Sequence, residues 1–272
     1  MRSVFLKPLL LIPLCIALVA CETLQGEKEE YPGYTEDQFY TEAKAAMDKK
    51  SYSKAIELFE KLEARYPFGK YAAQAQLDVA YCYYKNDEPE SAIAAVERFI
   101  KINPRNPSVD YAYYLKGLVN YNRGIGFLDR FLPTDSSQRD PGPAREAFRD
   151  FSELVRRFPD SRYVDDARQR ITSLRNNLAM YEIHVADYYM RRKAYLAAAN
   201  RAVYVVKKYQ RTPAVPLALE IMEKAYDKLG LEDLAEDAKR VYALNYPNGA
   251  PPAEKEDATI ARKIWNFMEL DR

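Results

Sequence analysis

Five stretches of this chain repeat one pattern, and that recurrence constrains the fold more than any other feature. In KSYSKAIELFEKLEARYP, Lys50 to Pro67, the residues Ala55, Phe59 and Leu62 lie three and four apart, on one face of a helix. Ser51 and Ser53 supply hydroxyls of the kind that cap helix N-termini. Tyr66-Pro67 ends the helix, because the residue before a proline is pushed out of the α region. ESAIAAVERFIKINP repeats the spacing with Ala92, Val96, Phe99 and Pro104, and AREAFRDFSELVRRFP repeats it with Ala147, Phe151, Leu154 and Pro159. KAYLAAANRAVYVVKKYQ keeps Tyr195, Ala198, Val205 and Tyr209 but has Gln210 in place of proline, and LEDLAEDAKRVYALNYP keeps Ala235, Tyr242 and Pro247. A unit that cannot bury its own apolar face must stack on its neighbours, so five copies predict an all-α solenoid.

Each recurrent helix is preceded by another with a small residue where two helices must approach closely. Ala43, Ala80, Gly117 and Ala186 fill that position, while the fifth repeat has Glu223 there and is the weakest match. Small and aromatic positions alternating over about 34 residues match the tetratricopeptide pattern, although its initial tryptophan is missing. The expected fold is therefore a tetratricopeptide solenoid of about five helix-turn-helix repeats, N-terminal repeats over 35–123 and C-terminal repeats over 144–247. An insertion, 124–143, interrupts the third repeat. Its apolar cluster of Phe127, Leu128, Phe131 and Leu132 either folds back on the solenoid or presents a partner-binding loop. Residues 248–272 read as a linker and a C-terminal helix, with Ile260, Ile264, Phe267 and Met268 on one face beside the only tryptophan. That helix either caps the last repeat or docks another protein.

The N-terminus carries an address. Arg2 and Lys7 precede an apolar run from Pro8 to Ala20, which is the length of a signal h-region and too short to span a bilayer. It ends Leu18-Val19-Ala20-Cys21, which resembles the bacterial lipobox. Residues 1–20 are then a lipoprotein signal peptide, and Cys21 receives a diacylglycerol and an N-acyl chain. Residues 21–34 form a polar, acidic tether, disordered by composition. With Glu22 rather than aspartate after the cysteine, resemblance to sorted lipoproteins implies the outer membrane.

Composition offers little equipment for catalysis. Loss of Arg2 and Lys7 takes 41 basic residues to 39, against 40 acidic ones, so net charge does not point to nucleic acid. His184 is the single histidine, with no neighbour for a metal site. Cys82, between Tyr81 and Tyr83, reads as a buried thiol, and Gly124-Ile125-Gly126 lacks the third glycine of a dinucleotide loop. No catalytic residue, metal site or cofactor is expected, beyond the acyl chains on Cys21. This is a binding protein.

Tyrosine is abundant, at 23 residues, and its placement suggests where binding occurs. In tetratricopeptide solenoids the first helix of each repeat lines the concave face. Counting from the small position places Tyr40, Lys44 and Met47 there in the first repeat. Leu77, Tyr81 and Tyr84 follow in the second, and Tyr111, Tyr114, Leu118 and Tyr121 in the third. The result is either an apolar, hydroxyl-edged groove for an extended peptide or, in part, packing between neighbouring helices. In the other half, Arg191 to Arg211 holds seven basic residues and no acidic one: Arg191, Arg192, Lys193, Arg201, Lys207, Lys208 and Arg211. Such a run is either a solvated face or an electrostatically steered protein contact. Arg201 reads as an exposed charge whose reversal should leave folding intact.

RYPFGKYAAQAQLDVAYCYYKN, RFIKINPRNPSVDYAYYLKGL, RDPGPAREAFRDFSELVRRFPDSRY and AMYEIHVADYYMRRKAYLAAANR, together with the lipobox, resemble the BamD (YfiO, ComL) lipoproteins. The resemblance covers about Tyr34 to Pro247. It implies a subunit of the β-barrel assembly machinery of Gram-negative outer membranes, lipid-anchored at the periplasmic face. It also implies that C-terminal repeats scaffold BamA through a POTRA domain, beside other assembly lipoproteins, and that N-terminal repeats receive unfolded outer membrane proteins. Assigning substrate to the tyrosine groove, and BamA to Arg191, Arg192, Arg201 and Lys208, is an inference added to that resemblance. A tetratricopeptide lipoprotein that scaffolds cell-wall or division proteins is the alternative. Nucleic acid is not expected as a partner.

Overall fold

The computed structural model describes residues 31–123 and 136–250, and among these it contains ten α-helices and one 3-10 turn. The helices are α1 Glu36–Asp48, α2 Tyr52–Arg65, α3 Ala72–Lys85, α4 Pro89–Ile102, α5 Val109–Arg123, α6 Pro141–Arg157, α7 Val164–Arg191, α8 Tyr195–Lys208, α9 Ala214–Lys228 and α10 Glu232–Asn245. Ser136–Gln138 forms the 3-10 turn. Each helix packs on the next, which is the tetratricopeptide-like solenoid that the repeats predict. Cys21, the apolar cluster of the insertion and the C-terminal helix lie outside the described residues.

The two kinds of turn recur with the helices. Within a repeat, Lys50, Asp87, Lys193 and Gly230 take left-handed backbone, with φ of 60, 64, 59 and 70°. At each of them a following amide reaches back into the last turn of the first helix, as in Ser51 N to Ala46 O at 2.9 Å and Ala194 N to Tyr189 O at 2.9 Å. This Schellman geometry, and not a side-chain cap, joins the paired helices. Ser51 accordingly makes no side-chain cap, and the Ser53 hydroxyl bonds Asn86 Oδ1 at 3.3 Å in the next repeat. Both expected caps on α2 are thereby replaced. Side-chain capping appears where a helix starts from open chain: Thr35 and Gln38 form a capping box on α1, and Asp140 caps α6 through Gly142 N at 3.0 Å.

Ala43, Ala80, Gly117 and Ala186 are all buried, as the close-approach positions require. Gly117 cannot be larger, since a Cβ there would stand 2.5 Å from the Phe151 ring. In the fifth repeat α9 buries Ala218 and Ala225 instead, and Glu223 stays half-exposed.

Helix α7 runs for 28 residues, twice the length of α8, and nothing from Val164 to Arg191 is proline or glycine. It serves two cores. Ala167 and Leu174 pack with Phe151 and Leu154 of the third repeat, and Ala179, Ile183 and Ala186 pack with Ala198 and Val205 of the fourth and Ala218 of the fifth. The two halves of the solenoid are thus joined by one continuous rod.

Candidate functional site

Helices α3 and α5 carry their groove tyrosines three or seven residues apart, which puts them on shared faces. The structure sorts the expected groove residues into three groups. Tyr40 stands apart on α1, stacked on Tyr71 at 4.2 Å, with its hydroxyl donating to the buried Asp78 at 3.4 Å. Burial and the adjacent Asp78 push that hydroxyl up to about 12. Tyr81, Tyr84 and Tyr111 gather over the second core, with Tyr81 and Tyr84 at 6.4 Å, and the Tyr84 hydroxyl accepts from Asn122 Nδ2 at 2.7 Å. Tyr114, Leu118 and Tyr121 lie against the third. There Tyr114 stacks on Tyr163 at 4.6 Å and donates to Asp166 at 2.8 Å, and Arg170 sits 4.8 Å over the Tyr121 ring.

Leu77 is a correction. It is 2% exposed and belongs to the core with Ala92, Val96 and Phe99, so it presents nothing to a ligand. The seven others are half-buried, and most also bridge repeats. Tyr81, Tyr111 and Tyr121 are the three whose hydroxyls take no hydrogen bond from a described residue.

The basic run is divided by the fold. Arg191, Arg192 and Lys193 stand at the turn from α7 into α8, and Lys207, Lys208 and Arg211 at the far end of α8. Fourteen residues at about 1.5 Å each hold the two clusters roughly 20 Å apart. All six are exposed, and among the described residues none has an acid within ion-pair distance.

Arg201 differs from these six. Its Nη1 lies 2.9 Å from Glu182 Oε2, and Arg145 Nη2 lies 3.3 Å from the other oxygen. Glu182 is 1% exposed. Arg201 therefore neutralises a buried carboxylate and ties α8 to α7, which corrects the reading of it as an exposed charge irrelevant to folding. The sequence signal was an acid within the apolar-faced run Met180 to Val185, with arginines on the helices to either side.

Two further acids are buried between helices, one between repeats and one within the third. Asp78 on α3 accepts from Gln74 at 2.9 Å and pairs with Lys44 at 3.4 Å, and Asp150 on α6 accepts from Asn120 at 2.7 Å beside Lys116 at 3.6 Å. Burial raises both carboxyls above the ordinary aspartate value.

Among the described residues no cluster of histidine, cysteine or acidic side chains has the make-up of a metal site. His184 Nε2 lies 2.9 Å from the Ser137 hydroxyl. The Cys82 thiol is buried and pushed up to about 12 by that burial, which leaves it inert as a nucleophile. No helix among the described residues is long and apolar enough to cross a membrane.

The family model for YfiO, an outer membrane lipoprotein, matches residues 32–241. A protein of Neisseria meningitidis serogroup A, named outer membrane protein assembly factor BamD, is 45% identical over 245 residues, covering 89% of this chain and 91% of that protein. The Vibrio cholerae protein of the same name is 41% identical over 214 residues, 79% of this chain and 89% of its own. That of Haemophilus influenzae is 32% identical over 250 residues, covering 92% and 94%.

Proposed function

The chain belongs to the YfiO (BamD) family of outer membrane lipoproteins, and on that footing we propose that it is a non-catalytic subunit of the β-barrel assembly machinery. One observation carries the reading: proteins named for outer membrane protein assembly match this chain along about nine-tenths of both lengths. In this proposal Cys21 bears the acyl chains that hold the protein at the periplasmic face of the outer membrane. The C-terminal repeats scaffold BamA through a POTRA domain. Arg191, Arg192 and Lys208 are exposed cations available to steer that contact, while Arg201 shares its charge with Glu182. The N-terminal repeats receive unfolded barrel proteins, with Tyr81, Tyr111 and Tyr121 the groove tyrosines whose hydroxyls take no hydrogen bond from a described residue.

The test is affinity purification of the tagged, lipidated chain from detergent-solubilised outer membranes. BamA should be the dominant co-purifying protein, and its recovery should fall when Arg191, Arg192 and Lys208 are together changed to Glu. Recovery of cell-wall or division enzymes without BamA would replace this reading with that of a general periplasmic scaffold.

A further inference from the structure

The five turns that lead out of the second helix of each repeat open with the same backbone bond. In each, the residue after the helix donates to a carbonyl in its last turn: Tyr66 N to Leu62 O at 2.8 Å, Asn103 N to Phe99 O at 2.8 Å, Phe158 N to Leu154 O at 2.8 Å, Tyr209 N to Val205 O at 2.8 Å, Tyr246 N to Tyr242 O at 2.8 Å. Two residues further on come Phe68, Arg105, Asp160, Arg211 and Asn248. Four of these are polar and suit a solvated tip. Phe68 alone is apolar, and it is 100% exposed.

The turn beneath Phe68 is not loose. The Tyr66 hydroxyl donates to Tyr34 O at 2.7 Å, Arg65 Nη1 to Tyr31 O at 2.8 Å, and Tyr71 N to Glu36 Oε1 at 2.7 Å. Lys70 and the Tyr71 hydroxyl both bond Asp37, at 2.7 and 2.9 Å. A Cβ at Gly69 would meet the Glu36 carboxylate, so a larger residue there must displace that side chain from the turn. A fixed turn that leaves a full aromatic ring in water forgoes burial that apolar surface ordinarily seeks.

The same bonds say what lies nearby. They clamp the turn to residues 31–37, where the chain arrives from Cys21. Tyr31 is the tenth residue after Cys21, which limits their distance to roughly 35 Å even at full extension. Phe68 is thus mounted on the end of the solenoid that an acylated Cys21 would hold closest to the bilayer. A short tether raises the local concentration of the attached surface, so one further apolar contact is enough to bias orientation. Arg65 and Lys70 flank the ring, as do Glu36 and Asp37, so the local charge is balanced and the ring itself makes the contact.

We propose that Phe68 inserts into the interface of the phospholipid bilayer as a second, non-covalent foot that sets the tilt of the solenoid beside the lipid anchor. The proposal rests on the lipoprotein reading above. Its test uses the full-length lipidated chain with Trp265→Phe and one new tryptophan, anchored in vesicles of phosphatidylethanolamine and phosphatidylglycerol. Part of the lipid is brominated near the carbonyl end of its acyl chains. Emission from Phe68→Trp should shift to the blue and lose intensity to brominated lipid. Emission from Arg105→Trp, at the equivalent point of the next turn, should do neither. Both positions are exposed, and unchanged circular dichroism checks that both variants fold.

Equal emission and equal quenching at the two positions, in protein that floats with the vesicles, would overturn the bilayer contact while leaving the anchor intact. Phe68 would then belong to a protein partner. Failure to float would remove the lipoprotein reading, and the foot with it.

Discussion

Asp78 and Glu182 are both carboxylates buried where one repeat meets another, yet different chemistry holds each. Asp78 takes hydrogen bonds from Gln74 and Tyr40 and lies 3.4 Å from a half-exposed Lys44. Glu182 receives one guanidinium on each oxygen, from Arg145 and Arg201. Neutral donors satisfy the lone pairs of a buried acid without answering its charge, whereas arginine does both. The contrast has a practical consequence. Tyr40 belongs to the expected substrate groove and Arg201 to the expected BamA contact, and each is also a partner of one of these acids. Neither surface can be probed at those residues without probing the fold.

The largest effect should come from the charged site. Arg201→Glu places a second carboxylate against one that is 1% exposed, and should cost about 3 kcal/mol or more of unfolding free energy. Urea denaturation of the unlipidated chain measures it. A loss below about 0.5 kcal/mol would show that Arg145 alone answers Glu182, and would return Arg201 to the surface as a free contact residue. The neutral site should respond less. Tyr40→Phe removes one of three partners from Asp78 while keeping the stack on Tyr71, and should cost about 1 kcal/mol in the same assay. A cost equal to that of the Arg201 reversal would erase the distinction between the two acids.

The sequence carried the solenoid in its recurring Ala, Phe and Leu positions because helical periodicity and burial are local properties of each unit. Ala43, Ala80, Gly117 and Ala186 were legible for the same reason, since close helix approach admits few residue types. Position in space was harder to read. Seven cations within 21 residues look like one patch, but a straight helix carries the two ends of the run apart and sets Arg201 against the buried Glu182. Leu77 sits at a spacing shared with groove residues, yet its face is closed by α4 and α5. The double duty of α7 was half visible. The absence of breakers predicts its length, whereas the point where it passes from one core to the next depends on which neighbours cover it.

The smallest predicted effect separates charge from hydrogen bonding at Asp78. An aspartate in an unfolded chain titrates near 3.9, but in the fold burial outweighs the bonds from Gln74, Lys44 and Tyr40, and the carboxyl keeps its proton to higher pH. A group that binds its proton more tightly when folded stabilises the fold fully below its unfolded value. That contribution is lost as pH rises through the folded value. Asp78→Asn preserves the shape and one acceptor but cannot titrate. The native chain should therefore gain thermal stability relative to Asp78→Asn as pH falls from 7 towards 4, by about 1 kcal/mol or less at 11% side-chain exposure. Paired melts of the two proteins in identical buffers read the difference directly and cancel every other titrating group. If the native chain instead lost ground on acidification, Lys44 would be holding Asp78 as a charge. The acid of the N-terminal half would then be an ion pair like that of the C-terminal half, and Tyr40 would be freed from its part in satisfying it.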